Sequence, residues 1–266
     1  MEIERAMKNE EFWDELCGSK SFKKLGLNEI NVDSIKIFDD WYFEYYPYLL
    51  GKYIELTELN DKDVLEIGLG FGTVGGQLSQ YSKSYTGVDY AQGPVSMMSQ
   101  RISWNQNESK AKALKGDARA LPFKDNTFDY VVSIGCLHHT GDTGKSIDEV
   151  YRVLKPDGKA LIMLYYKYSY KPFIAPLYYL KSVLIGPKRN VKNYTELVRS
   201  IYDSNSSGDG APITSLTSKS EAKEMFKKFS SVKMQLENND VPFVRQFLLK
   251  NISKIIGLDL YFVATK

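Results

Sequence analysis

Val64-Leu65-Glu66-Ile67-Gly68-Leu69-Gly70-Phe71-Gly72-Thr73-Val74-Gly75 is the stretch that decides the fold. It begins as a short apolar strand and passes into a loop with glycine at every second position. Val74, Leu78 and Tyr81 then return at helical spacing. The pattern repeats downstream. Tyr85-Thr86-Gly87-Val88 is a second strand ending at Asp89, and Pro94 suits the first turn of a helix whose face is Val95, Met98 and Ile102. Ala113-Leu114 is a weak third strand before Gly116-Asp117, and Phe128 to Ile134 is a strong fourth. Ile147, Val150, Tyr151 and Leu154 mark another helix. Lys155-Pro156-Asp157-Gly158 reads as a turn, and Lys159 to Tyr165 as a fifth strand. Strands that alternate with helices and lack hairpin turns need crossover connections, so the sheet is parallel. Such sheets bind ligands beyond the carboxyl ends of their strands, and the polar motifs of this chain fall there.

Outside this core the pattern changes. The chain has 266 residues, enough for one large domain or one domain with an appended cap. We divide it into an N-terminal helical and aromatic cap (1–50), a ligand-binding core (51–165), an insertion after strand five (166–220) and a C-terminal return to the sheet (221–266). The cap carries a helix around Glu11–Glu15 that stops near Gly18, and the aromatic run Trp41-Tyr42-Phe43-Glu44-Tyr45-Tyr46-Pro47-Tyr48. The insertion loses the alternation and contains Pro172, Pro176, Pro187 and Pro212. Structure returns with a helix around Glu221–Phe229, a strand near Val232–Leu236, a helix around Val244–Ile256 and a last strand Leu258–Ala264.

Composition removes several classes of function. Hydrophobic residues make up 43% and charged residues 26%, which excludes a disordered or fibrous chain. Net charge is +2, from 35 basic and 33 acidic residues, so no basic excess argues for nucleic acid. Cys17 and Cys136 fit neither a disulfide framework nor a four-ligand zinc site, no metal is expected, and a reducing cytoplasm is the default. No stretch approaches the roughly 18–20 apolar residues of a membrane helix, so no integral membrane segment is expected. Met1-Glu2-Ile3-Glu4-Arg5 has neither the basic flank nor the apolar run of a secretory signal.

From Gly70 the loop also spells G-x-G-x-x-G, with Asp89 about twenty residues on, the spacing of a dinucleotide fingerprint. A nicotinamide or flavin enzyme is therefore one reading. Glu66 argues against it. It ends the first strand, facing the place a doubly anionic pyrophosphate would occupy, where a carboxylate repels it. A ligand without phosphates that carries an ammonium and a sulfonium, S-adenosylmethionine, reverses that sign. Asp89 can accept from ribose hydroxyls for either cofactor and does not discriminate between them.

The motifs taken in order resemble the class I S-adenosylmethionine-dependent methyltransferases, in the branch that includes quinone-biosynthesis and many small-molecule enzymes. They are Val64-Leu65-Glu66-Ile67-Gly68-x-Gly70-x-Gly72, Gly87-Val88-Asp89, Gly116-Asp117-Ala118-x-x-Leu121-Pro122-Phe123, Leu137-His138-His139 and Arg152-Val153-Leu154-Lys155-Pro156-Asp157-Gly158. The resemblance covers roughly residues 60–165. It implies an α/β Rossmann-like fold, a seven-stranded and mostly parallel sheet in the order 3-2-1-4-5-7-6 with only strand seven antiparallel, carrying an N-terminal cap and a lid inserted after strand five. It implies that Glu66, Gly68 and Gly70 hold the methionine end of the cofactor, that Asp89 binds its ribose with Tyr90 beside the adenine, and that Asp117 and Ala118 contact the adenine ring. Gly135 and Cys136 would line the floor under the sulfonium. Trp13 and Cys17-Gly18-Ser19 also resemble a bacterial subgroup of such enzymes. Two positions depart from the family pattern: Asp157, where glycine is usual, and the tyrosine-rich 41–48 segment, where the subgroup often has Arg-Tyr.

His138 and His139 are the only histidines, and they follow strand four, where this fold presents the transferable methyl group. Histidine is suited to taking a proton near neutral pH. Because successive residues at a strand end point opposite ways, the two should differ in role. His139 is expected to be the base and His138 a substrate contact at most. Tyr166, Tyr168 and Tyr170 leave strand five at the same end and are expected to contact the acceptor, with an ordinary packed helix pair or a lipid or nucleic-acid surface as the other readings of that segment. Together these features predict a cytoplasmic methyltransferase acting on a small molecule, with oxygen as the expected acceptor atom. An NAD(P)-dependent oxidoreductase and a catalytically inactive adenosylmethionine-binding regulator are the alternatives.

Overall fold

A computed structural model describes residues 2–185, 194–238 and 257–266. Three helices precede the sheet: α1 (Glu2–Asp14), α2 (Ser19–Lys24) and α3 (Val32–Tyr45). Then come β1 (Asp63–Ile67), α4 (Thr73–Tyr81), β2 (Ser84–Asp89), α5 (Gln92–Trp104), β3 (Ala111–Lys115), β4 (Phe128–Ile134), α6 (Thr143–Val153) and β5 (Leu154–Tyr165). The insertion supplies α7 (Tyr170–Ile185) and α8 (Tyr194–Tyr202), and α9 (Lys219–Met225), β6 (Ser231–Glu237) and β7 (Asp259–Thr265) finish the chain. The helix expected over Val244–Ile256 lies outside the described residues.

The seven strands hydrogen-bond in the order β3-β2-β1-β4-β5-β7-β6, as expected. The first five run parallel, and β7 is antiparallel to both β5 and β6. Neighbouring residues in a strand bury on opposite faces. Leu65 and Ile67 join one apolar cluster with Ile147, Val150, Leu164 and Phe262, while Val64 joins the other with Leu78, Met98, Leu161 and Met163. Both faces are covered, so the strands read as near-continuous apolar runs. Each fully buried Val, Leu or Ile contributes about 1.5–3 kcal/mol.

One local expectation is corrected. The turn at 155–158 does not precede strand five; it sits inside it as a bulge. Phe128 pairs with Leu154 and Tyr130 with Lys159, so the four intervening residues loop out of the ladder, with Asp157 at φ 62°. The segment after Tyr165, read as a lid with a packed helix pair among the alternatives, carries helices at Tyr170–Ile185 and Tyr194–Tyr202. Pro172 falls in the first turn of α7, where a missing backbone N–H costs no internal hydrogen bond, and Pro176 lies inside the helix.

Candidate active site

The glycine loop has its spacing because three of its residues take positive φ: Gly68 at 88°, Gly70 at 50° and Gly72 at 72°. Side chains are disfavoured there. Gly68 is also sterically required, since a Cβ would collide with Cys136 Cβ and lie 2.7 Å from its Sγ. This contact brings the end of β1 against the end of β4. Glu66, 3% exposed, accepts a short hydrogen bond from Tyr85 Oη. Gly75 of α4 leaves the room above these two groups that a Cβ would take. Burial pushes the Glu66 carboxyl up to about 8, against the pull of the Tyr85 hydrogen bond and of Arg101.

Asp89 ends β2 and ties the loop to the sheet. Its Oδ2 accepts from Leu69 N at 2.7 Å and its Oδ1 from Ala91 N at 3.0 Å. Burial raises its carboxyl, and backbone N–H donors oppose that shift. Asp117 is held by Arg119 in a two-pronged pair, Nη2 to Oδ2 at 2.7 Å and Nε to Oδ1 at 3.0 Å. Glu66, Gly68, Gly70, Asp89, Tyr90, Asp117, Ala118, Gly135 and Cys136 all line one cavity of about 1210 Å³ at the carboxyl ends of the strands. Burial raises the Cys136 thiol, so it is not a thiolate nucleophile at neutral pH, and the exposed Cys17 lines the same cavity.

The same cavity continues into a chamber walled by Trp13, Tyr42, Tyr46, Tyr165, Tyr170 and Tyr202. His139 lines this chamber; His138 does not. The pair lies on a one-turn 3-10 helix, Leu137–His139, rather than on the strand itself. His138 is fully buried, with ring centroids 4.0 Å from Tyr165 and 4.2 Å from His139, and burial pushes its imidazole well below its ordinary value. It packs in the interior and is not placed to touch an acceptor. Tyr166 and Tyr168 are likewise not placed there. Tyr166 follows Tyr165 on the opposite face of the sheet and joins the cluster under α6 and α9, and Tyr168 is 53% exposed. Of the three tyrosines expected at the acceptor, Tyr170 alone lines the cavity.

His139 is 5% exposed. Its Nδ1 lies 2.6 Å from the carbonyl oxygen of Ile213, and its ring sits 4.6 Å from that of Trp13. Its Nε2 faces Asp203 Oδ2 at 3.3 Å, and Tyr165 Oη donates to Asp203 Oδ1 at 3.1 Å. Asp203, which follows α8, and Trp13 of α1 were not singled out for the site by sequence. The only signals were that Asp203 is an acid in the insertion and that Trp13 stands near a motif resembling known enzymes. Among the described residues no group of His, Cys, Asp and Glu could hold a metal ion, and no helix is long and apolar enough to cross a membrane.

The sheet order and the cavity at the carboxyl ends of its strands occur together in a fold shared with known methyltransferases, and the core of this chain is similar to a methyltransferase domain. Residues 65–162 match the methyltransferase domain family Methyltransf_11. Phosphoethanolamine N-methyltransferase 2 of Caenorhabditis elegans is 32% identical over 128 residues, 45% of this chain and 29% of that protein. The uncharacterized protein MJ1252 of Methanocaldococcus jannaschii is 30% identical over 173 residues, 64% of this chain and 62% of that protein. The chain thus spans less than two thirds of the length of these curated relatives. The crystal structure of the PH0226 protein from Pyrococcus horikoshii superposes with a TM-score of 0.56 at 21% identity, covering 85% of this chain and 90% of that one, and shares the fold.

The cofactor of this family is S-adenosylmethionine, and the residues present fit it. The glycine loop leaves a cradle that side chains would fill, with the carboxyl groups of Glu66 and Asp89 at its edge. A pyrophosphate would meet the backbone N–H groups of the loop, but also the Asp89 carboxyl at its edge, and among the described residues no free cation beside the loop offsets that. Arg101, the cation packed beneath the loop, is 4% exposed and committed to Asp39 and to the carbonyl of Phe71.

Proposed function

We propose that this protein transfers a methyl group from S-adenosylmethionine to a small molecule bound in the aromatic chamber. The observation that carries the reading is the continuity of the cavity: the residues of the glycine cradle and of the chamber line one space, and Gly135 and Cys136 are among them. The bound cofactor supplies an electrophilic methyl carbon whose bonding electron pair leaves with sulfur. The chain's own part is to bind and orient. Glu66, Gly68 and Gly70 hold the methionine end, Asp89 the ribose, and Tyr90, Asp117 and Ala118 the adenine. Aligning an acceptor with the methyl carbon supplies most of the acceleration available to such a site. The aromatic walls exclude water and select an acceptor with apolar surface.

Proton removal at the acceptor belongs to the His139–Asp203 pair rather than to His139 alone. An oxygen acceptor is the expectation from sequence, and it rests on a free imidazole. The C. elegans relative's name specifies a nitrogen acceptor, which brings nitrogen within the same proposal. A cytoplasmic setting is part of it too, resting on two cysteines left as thiols.

Calorimetry tests the cofactor half: S-adenosylhomocysteine should bind and NADH should not. Mass spectrometry of an acceptor library incubated with methyl-labelled S-adenosylmethionine tests the transfer. A chain that binds S-adenosylhomocysteine but methylates nothing in broad libraries would support the regulatory reading instead.

A further inference from the structure

We infer that Asp203 and His139 together form a site for the ammonium group of an amine, which makes the acceptor class an amine rather than a neutral alcohol or phenol. This inference rests on the methyl-transfer reading of the cavity and specifies its substrate.

Ile213 fixes the tautomer of His139. Its carbonyl oxygen can only accept, so at 2.6 Å the facing His139 Nδ1 must carry the hydrogen. A neutral imidazole with that tautomer presents a bare lone pair at Nε2. The group it faces is also an acceptor, Asp203 Oδ2 at 3.3 Å. The approach lies off the hydrogen-bond direction, and neither Nε2 nor Oδ2 has a hydrogen-bond partner among the described residues. The other Asp203 oxygen is already satisfied by Tyr165 Oη. His139 and Asp203 both line the chamber, and behind its wall these two buried acceptors lie side by side with no donor between them among the described residues. Leaving such atoms unmet is costly, so the site is built for a donor that arrives with the ligand.

The chemistry of that donor follows from counting. A hydroxyl brings one O–H and cannot satisfy both acceptors. A primary ammonium brings three N–H groups and a secondary one two, and its charge complements the carboxylate. The walls favour the same ligand. Trp13 and Tyr165 flank the pair, Tyr202 stands against Tyr165, and Tyr170 lines the same cavity. Aromatic faces attract cations in a water-poor site. The chamber already shows this once: Lys171 Nζ lies 5.0 Å from the Tyr202 ring centroid, its ammonium turned to the carbonyl of Ile201 at 3.1 Å. Before transfer the ammonium gives one proton to His139 Nε2. The nitrogen lone pair so freed forms the bond to the methyl carbon as the carbon–sulfur bond breaks with its electron pair going to sulfur, and the imidazolium is stabilised by the charge of the Asp203 carboxylate 3.3 Å away.

Two measurements on the full chain saturated with S-adenosylhomocysteine test this. Because the chain has only two histidines, isotope-labelled imidazole nitrogens resolve both, and His139 should show hydrogen on Nδ1 and a bare Nε2. Phenethylamine should then bind at least about tenfold more tightly than its isostere 2-phenylethanol, shift the Nε2 resonance, and lose that preference in Asp203→Asn, whose affinity for S-adenosylhomocysteine reports that it is folded. A doubly protonated His139 in the ligand-free site, equal binding of amine and alcohol, failure of phenethylamine to bind, or a preference that survives Asp203→Asn would each overturn the inference. Failure of S-adenosylhomocysteine itself to bind would instead overturn the methyl-transfer reading.

Discussion

Replacing Asp89 by alanine should damage both the fold and the cofactor site, in measurable proportion. In the structure this carboxyl is more than a ligand contact. It accepts from Leu69 N at 2.7 Å and from Ala91 N at 3.0 Å, and so pins the glycine loop to the end of β2. Alanine leaves two backbone N–H groups without partners at a largely buried point. Hydrogen bonds to a charged group are worth about 1.5–3 kcal/mol each, so the low end for two is about 3 kcal/mol of stability. In a chain of this size that lowers the melting temperature by roughly 6–12 °C. The proposed ribose contact is lost as well, which weakens S-adenosylhomocysteine binding by roughly ten- to a hundredfold beyond any loss to unfolding. Differential scanning calorimetry reads the first effect, and titration calorimetry well below the mutant's melting temperature reads the second. A variant that melts like the parent would refute the pinning role. One that is destabilised yet binds the ligand normally would refute the ribose assignment.

Glu66 should leave a pH signature in the ligand-free protein. Its folded carboxyl titrates at about 8 against an ordinary 4.5, so the stability it contributes is complete below that ordinary value and is lost as pH rises through about 8. Denaturant titrations from pH 5 to 9 should show this decline, and Glu66→Gln should flatten it. Gly68→Ala should abolish S-adenosylhomocysteine binding, because the added Cβ meets the Cys136 side chain at positive φ; Cys136→Gly in the same chain should restore part of the affinity, and Cys136→Ala should not. Tyr170→Ala should raise the acceptor Michaelis constant while sparing cofactor affinity, whereas Tyr168→Ala, at a half-exposed side chain, should change stability by less than about 0.5 kcal/mol and leave kinetics alone. Equal kinetic effects of the two would show that the chamber is wrongly drawn.

The cofactor half of this protein was written locally in the chain. Three glycines at alternate positions, an acid before them and an acid at the end of the next strand are short-range features. Each reflects a backbone conformation or a strand end that neighbouring residues impose, and the parallel sheet then gathers those ends on one edge. The acceptor half was not local. Sequence placed the acceptor on Tyr166, Tyr168 and Tyr170, of which Tyr170 alone lines the cavity; β5 is buried on both faces, so its apolar run carried no alternation to show which tyrosine faces which side. Histidines expected to diverge as on a strand diverge on a 3-10 turn instead. Asp203 lay in a stretch without a motif and meets His139 only because α7 and α8 fold back over the carboxyl edge of the sheet. Trp13 reaches the same ring because α1 packs against α5, where Asp14 Oδ1 accepts from Gly93 N at 2.7 Å. Strand ends and tight turns are fixed by residues a few positions apart and can be read in order; a chamber assembled from α1, α3, α7, α8 and the loop after β4 depends on packing between segments far apart in the chain, and only the tertiary structure decides it.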